Sequence, residues 1–363
     1  MKKKNMLETA ILFGLPLSTQ KCELFSQSEI ADLVKHVPPY LVLTDALCGY
    51  RITDDSVIGD SQSGYPADID ACFVFAKACY SEIECDGHYP GCPSLPLTEI
   101  ARSMDQSATL FAVYSGKIKD KNVPLLRRIT KLKGGSIEKF DPDSSFWIWV
   151  SLQNGEITTK FYISGHQEPI VTISGWSYDV TEVMNVHSSF PLSVPSSDEC
   201  EDAEFDREDI MKIIPQAPPF LILDCASVFQ DEGGRSTIHS CAHVLPEMVE
   251  GHLGKNVILG PMHYSRALAQ SGMVLCARVF GSSEFVPEVS SASGLWYDTG
   301  HYYEGMNTIR VEARITRFTD KRTIKIAVVS GDVYCCGRKV FGAESMNYIM
   351  IPRCQHPATI ENN

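Results

Sequence analysis

The 363-residue chain has no apolar run approaching the roughly 18 residues that a membrane-spanning helix needs. It also lacks a basic surplus. Lys and Arg total 32 against 45 Asp and Glu, a net charge of −13, which argues against general nucleic-acid binding, since that requires basic surface to displace counterions. No C-x-x-C pair is present among the 13 cysteines, and none has a His partner at zinc spacing. No metal site is expected, and scattered thiols with apolar flanks suit a reducing cytosol. A complete signal peptide is missing too. Met1 to Lys4 followed by Met6 to Leu17 imitates one in part, but Glu8 interrupts the apolar stretch and no small-residue cleavage site follows. The expected location is therefore cytoplasmic.

What the chain does have is one passage written twice. Gly87-His88-Tyr89-Pro90-Gly91-Cys92-Pro93 reads as an extended segment ending in Gly-His and a Pro/Gly turn. Pro96 then suits the first turn of a helix, in which Leu97, Ile100, Ala101, Met104, Ala108, Phe111 and Ala112 recur at helical spacing as far as about Gly116. With few strongly polar residues from Gln106 to Tyr114, that helix is expected to be surrounded by protein. The passage returns at Gly251-His252. His88, Arg102 and Gln106 have the same spacings as His252, Arg266 and Gln270.

The flanking elements repeat as well. Ser26-Gln27-Ser28-Glu29 can cap a short helix carrying Ile30, Leu33 and Val34, Pro38-Pro39 ends it, and Tyr40 to Leu43 reads as a buried strand. Its second copy is a helix at Ile210 to Ile214, a stop at Pro218-Pro219 and a strand at Phe220 to Asp224. Phe146 to Leu152 and Ile157 to Ile163 flank Asn154-Gly155, a strong hairpin signal, and Ile170 to about Tyr178 continues that sheet. Thr308 to Phe318 and Thr323 to Val329 are the strands of the second copy, the first of them alternating apolar Ile309, Val311, Ala313 and Ile315 with polar residues. Residues 46–87 are the hardest to read, with only weak strand segments such as Cys72 to Phe75.

The expected fold class is α+β. A sheet apolar on one face must curl around a helix apolar nearly all round. The division is a lead-in at 1–25, a first domain at 26–187, a Ser/Pro/acid-rich linker at 188–208, a second domain at 209–353 and a tail at 354–363.

These motifs resemble the bacterial 3-hydroxyacyl-acyl-carrier-protein dehydratases of the hotdog fold, over roughly 30–180 and 208–352. Two such halves resemble the tandem dehydratase domains of polyketide and polyunsaturated fatty acid synthases. The resemblance implies a double hotdog that stands in for the family homodimer, with higher oligomers left open. It implies an acyl thioester substrate carried on the phosphopantetheine of acyl carrier protein or on coenzyme A, and no bound cofactor. It also implies an active site between halves, where His88 faces the second helix and His252 the first. The histidine removes the C2 proton, a Glu or Asp on the facing helix protonates the departing hydroxyl, and a backbone N–H at the helix start polarises the carbonyl.

The chain departs from that pattern at the acid. The position 14 residues after each histidine is Arg102 and Arg266. An arginine stays protonated and cannot act as a general acid, though it can donate hydrogen bonds or clamp a carboxylate or phosphate. The carbonyl-polarising position is Leu97 in one copy and Pro261, with no N–H, in the other.

Each candidate has a structural reading beside the functional one. His88 and His252 are bases or satisfied turn residues. Arg102 has Glu99 and Asp105 at i−3 and i+3 for an intrahelical pair, whereas Arg266 needs a partner from elsewhere or from ligand. Gln106 and Gln270 are substrate-side groups or helix anchors. Glu99, Asp105 and His263 are the nearest alternative acids, and Cys92 has no neighbour that marks it as reactive. The basic run from Lys117 to Lys133 either docks an acidic carrier or is a solvated loop and helix face. The functions left open are a dehydratase-like or isomerase-like enzyme, a thioesterase on the same fold, and a non-catalytic protein binding acyl chains or carriers.

Overall fold

The computed structural model describes residues 2–13, 22–36, 40–50, 72–92, 94–118, 122–137, 140–141, 143–182, 203–244, 259–298, 308–321, 324–335 and 337–356. In chain order the elements are α1 (Lys2–Leu12), β1 (Cys22–Ser26), α2 (Gln27–Val34), β2 (Leu43–Tyr50), β3 (Cys72–Ala78), α3 (Leu97–Tyr114), β4 (Asn122–Lys133), β5 (Phe146–Gln153), β6 (Glu156–Ile163) and β7 (Val171–Glu182). The second copy comprises β8 (Phe205–Asp206), α4 (Arg207–Ile213), β9 (Leu223–Gln230), β10 (Ser236–His243), α5 (Pro261–Phe280), β11 (Phe285–Tyr297), β12 (Thr308–Lys321), β13 (Ile324–Cys335) and β14 (Arg338–Pro352).

Among the described residues the strands form one sheet of 14, in the order β1-β2-β3-β5-β6-β7-β4-β11-β14-β13-β12-β10-β9-β8. Read inward from either edge, each strand of the first half meets its counterpart in the second. The two halves join where β4 and β11 run antiparallel, with Ile129 opposite Leu295 and Leu132 opposite Ala292. This self-complementary seam is how a two-fold pair of sheets continues across its interface. The sheet curls around α3 and α5, which also touch each other. Every residue from Ser103 to Val113 is buried, as is every residue from Gln270 to Ala277. The architecture is the α+β double hotdog.

The short helices form as their caps predict. The Ser26 backbone N–H and hydroxyl both donate to Glu29 Oε2, at 2.8 and 2.7 Å, and Asp206 Oδ1 accepts from the Asp209 N–H at 2.8 Å. Asn154 and Gly155 turn the β5–β6 hairpin with φ of 53° and 78°, as a two-residue type I′ loop demands. In β12, Ile309, Val311, Ala313 and Ile315 are buried, while Arg310, Glu312 and Arg314 are exposed.

The differences have physical causes. The strands expected at Tyr40 and Phe220 begin at Leu43 and Leu223, because a central-helix glutamine takes the polar groups of the preceding residues. Gln106 Nε2 donates to Tyr40 O (2.7 Å) and its Oε1 accepts from Val42 N–H (3.1 Å). Gln270 does the same for Phe220 O (2.9 Å) and Ile222 N–H (3.1 Å). Both glutamines are thereby helix anchors.

The basic run is largely strand β4, at the middle of the sheet. Val123, Leu126, Ile129 and Leu132 point inward, and Arg127, Arg128, Lys131 and Lys133 are exposed. The lead-in contributes α1 and β1, and residues 205–213 already fold as β8 and α4. Helix α1 lays Met6 and Ala10 on an aromatic layer outside the first half, where Phe73 stacks on Trp149 and Phe75 on Trp147, each with centroids 5.1 Å apart. Cys225 is disulfide-bonded, while Cys22, Cys48, Cys79, Cys85, Cys276 and Cys354 are free thiols. Among the described residues, no helix is long and apolar enough to cross a membrane.

Candidate active site

The Gly-His turn lies between β3 and α3 and docks against the other half, backbone to backbone. Gly87 has φ +74°, and its carbonyl accepts from the Ala217 N–H at 2.8 Å. A Cβ at Gly87 would stand 2.2 Å from Ala217 O, so only glycine allows this approach. The contact carries His88 into the interface between halves.

His88 is 3% exposed, and its Nδ1 lies 3.1 Å from the carbonyl oxygen and 2.9 Å from the hydroxyl of Ser94. A carbonyl only accepts, so the Nδ1 carries the hydrogen and Nε2 keeps a lone pair. Burial pushes the imidazole down to about 4, against the opposing pulls of the Ser94 carbonyl and the Glu288 carboxylate. His88 is neutral at neutral pH. It stacks on Tyr89 at 4.0 Å and meets the edge of Phe220, from the second half, at 4.7 Å.

His88 lines an apolar cavity of about 80 Å³ between the halves. Pro96, Leu97, Thr98 and Ala101 of the first half form one wall, and Met262, Ser265, Arg266, Ala269 and Met273 on α5 face them. Leu97 is the first residue of α3 and Pro261 the first of α5, so both occupy the same helix-start position. The head of α3, with Leu97 and Thr98, thus lines the same cavity as His88. His252 lies outside the described residues.

The two arginines meet on one acid. Glu99, 5% exposed, lies between Arg102 of its own helix, 2.9 Å from Nη2 to Oε2, and Arg266 of α5, whose Nη2 donates to Oε1. Arg102 Nη2 is also 3.7 Å from Glu84 Oε1. Each guanidinium covers a ring, Arg266 over Phe220 at 4.3 Å and Arg102 over Tyr40 at 5.4 Å. Arg266 thus finds the partner that its own helix does not supply. Glu99 is thus held between two guanidiniums.

A second cluster sits beside His88 and has little signal in sequence. Tyr89 OH donates to Glu288 Oε1 at 2.7 Å, and His356 Nε2 lies 2.9 Å from the same oxygen. Burial alone would raise the Glu288 carboxyl, but the bonds from His356 and Tyr89 hold it below its usual value. Tyr89 belongs to the motif and could have been found there. Glu288, a lone acid in β11, and His356, in the stretch read as tail, could not. Asp105 is buried away from this cavity, accepts from Tyr178 OH at 3.0 Å, and is pushed by burial up to about 7. Neither His263 nor Cys92 lines the cavity.

No protein-family model matches the sequence, and no curated protein matches it. Solved structures do match in fold. A dehydratase domain of PpsC from Mycobacterium tuberculosis, in complex with C12:1-CoA, aligns at TM-score 0.51 and 9% identity over 77% of this chain and 94% of that one. The dehydratase domain from the CurJ module of curacin polyketide synthase aligns at 0.51 and 8% identity over 84% and 97%. A further type I polyketide synthase dehydratase aligns at 0.50 and 13% over 76% and 94%. These likenesses carry the double-hotdog fold.

Proposed function

We propose that the chain processes acyl thioesters of fatty acid or polyketide type in the cavity between its halves, with His88 as the base. The observation that carries this reading is the Nδ1–H of His88 held by Ser94 O, which leaves Nε2 as a proton acceptor in an apolar cavity. The thioester carbonyl takes its hydrogen bond from a leading N–H of α3 at Leu97 or Thr98. The double-hotdog likeness supports the substrate class.

The chemistry these residues favour is movement of one proton. Nε2 takes a proton from the carbon α or γ to the thioester carbonyl. The electron pair delocalises onto the carbonyl oxygen, and the imidazolium returns the proton to the other carbon. An imidazole whose charged form is disfavoured by burial gives the proton back readily. Dehydration asks for more, because the departing hydroxyl must be protonated, and Arg266 at the acid position keeps its protons. The enzyme reading is therefore isomerase-like first and dehydratase-like second. The acyl group arrives on carrier protein or coenzyme A. The exposed arginines and lysines of β4 suit an acidic carrier.

The buried Arg102–Glu99–Arg266 arrangement favours one rival, a protein that binds acyl chains or carriers without turnover. Incubation with 2-enoyl, 3-enoyl and 3-hydroxyacyl thioesters in deuterated water separates the two. Deuterium entering C2 or C4, lost in His88→Gln, supports the enzyme. Binding with no exchange supports the rival, and release of free thiol marks a thioesterase instead.

A further inference from the structure

The cavity wall opposite His88 carries a guanidinium, Arg266, whose hydrogen-bonding capacity the described residues do not fill. Arg102 and Arg266 share Glu99, Arg102 having Glu84 nearby as well, and burial first, with Arg102 beside it, lowers the proton affinity of Arg266. Arg266 is 8% exposed, lines the cavity, and has a buried Nε with no hydrogen-bond partner among the described residues. Thr98 Oγ1 lines the same cavity and is likewise buried without one. Both belong to the head of α3 or to its ion-pair partner, for Thr98 is the second residue of that helix and Arg266 is bonded to Glu99, the third. An orphan hydroxyl and an orphan guanidinium N–H facing one cavity together make an anion site. The carboxylate that lines the cavity, Glu288, is already engaged by Tyr89 and His356.

We infer that the cavity takes an acyl thioester whose acyl chain carries a second, free carboxylate, bound by Arg266 and Thr98. This rests on the acyl-thioester reading above. The arginine in place of an acid then selects substrate. A neutral acyl chain of the same length leaves the orphan donors unpaired and is rejected on that account.

The test uses the full chain and two non-hydrolysable coenzyme A thioethers that differ only in ending in a carboxylate or in its carboxamide, with affinities read by calorimetry. The carboxylate compound is expected to bind at least about tenfold more tightly. In Arg266→Met that ratio falls towards one while carboxamide affinity stays. Thr98→Val leaves all three charged groups in place, so it folds independently of the ion pairs, and it lowers the ratio too. Equal binding of the two compounds by the unmodified chain, or a ratio that survives both variants, overturns the inference and leaves the acyl-thioester reading standing. If neither compound binds, both fall.

Discussion

Arg266 of the second half reaches across the interface to Glu99 of the first, at the position where the dehydratase resemblance implies an acid. The pair is buried and shared with Arg102, and its free energy is bound up with the joining of the halves. Glu99→Gln leaves Arg266 buried without a carboxylate partner and Arg102 with Glu84 alone. It is expected to destabilise the chain by about 3 kcal/mol or more, read as a lower urea midpoint. Adding Arg266→Met to Glu99→Gln is expected to restore part of that loss, which a double-mutant cycle measures.

Two buried groups give stability opposite slopes with pH. The His88 imidazole is lowered to about 4, so between about 6.5 and 4 the unfolded chain binds the extra proton and stability falls with acid, by on the order of 3 kcal/mol. Asp105 is raised to about 7, so between about 4 and 7 the folded chain binds the extra proton and stability falls as pH rises, by on the order of 4 kcal/mol. Denaturant midpoints across this range are expected to steepen in acid for Asp105→Asn. The same variant gains stability at pH 8, and His88→Gln flattens the acid limb.

Gln106→Leu removes two hydrogen bonds and leaves the Tyr40 carbonyl and Val42 N–H buried and unpaired. The expected cost is about 3 kcal/mol. Gln270→Leu breaks the matching pair but also releases Gln216, to which Gln270 Nε2 donates at 2.9 Å, so its effect should be at least as large in the same thermal melts.

Gly87→Ala brings a Cβ to 2.2 Å from Ala217 O at a residue with φ +74°. The turn must lift away from the second half, and His88 with it. The expected result is a loss of His88-dependent exchange greater than the loss of stability. Comparing deuterium exchange rates with melting temperatures for the same variant checks it.

How far this could be foreseen differs by element. The central helices, the Asn154-Gly155 hairpin and β12 were legible because period and turn chemistry agree with burial there. Strand β3 was only weakly legible. Its inner residues meet the core and Phe73 and Phe75 lie beneath α1, so both faces are apolar and the period-2 signal disappears. Strand β4 hid behind its basic outer face. At the site, the duplicated spacing pointed to His88, Arg102, Arg266 and both glutamines. The convergence of two arginines on Glu99 depends on how two helices cross, and the Tyr89–Glu288–His356 contacts join positions up to 267 residues apart, which no local pattern encodes.

The β4–β11 seam joins two sheets that belong to one polypeptide. In a homodimer every substitution appears twice, so neither cavity can change without its twin. Here the partner half is tethered, always at high effective concentration, and each half draws on its own codons. One helix can start with Leu97 and keep its leading N–H while the other starts with Pro261 and loses it. Covalent linkage thereby lets the cavity beside His88 change without a matching change in the other half.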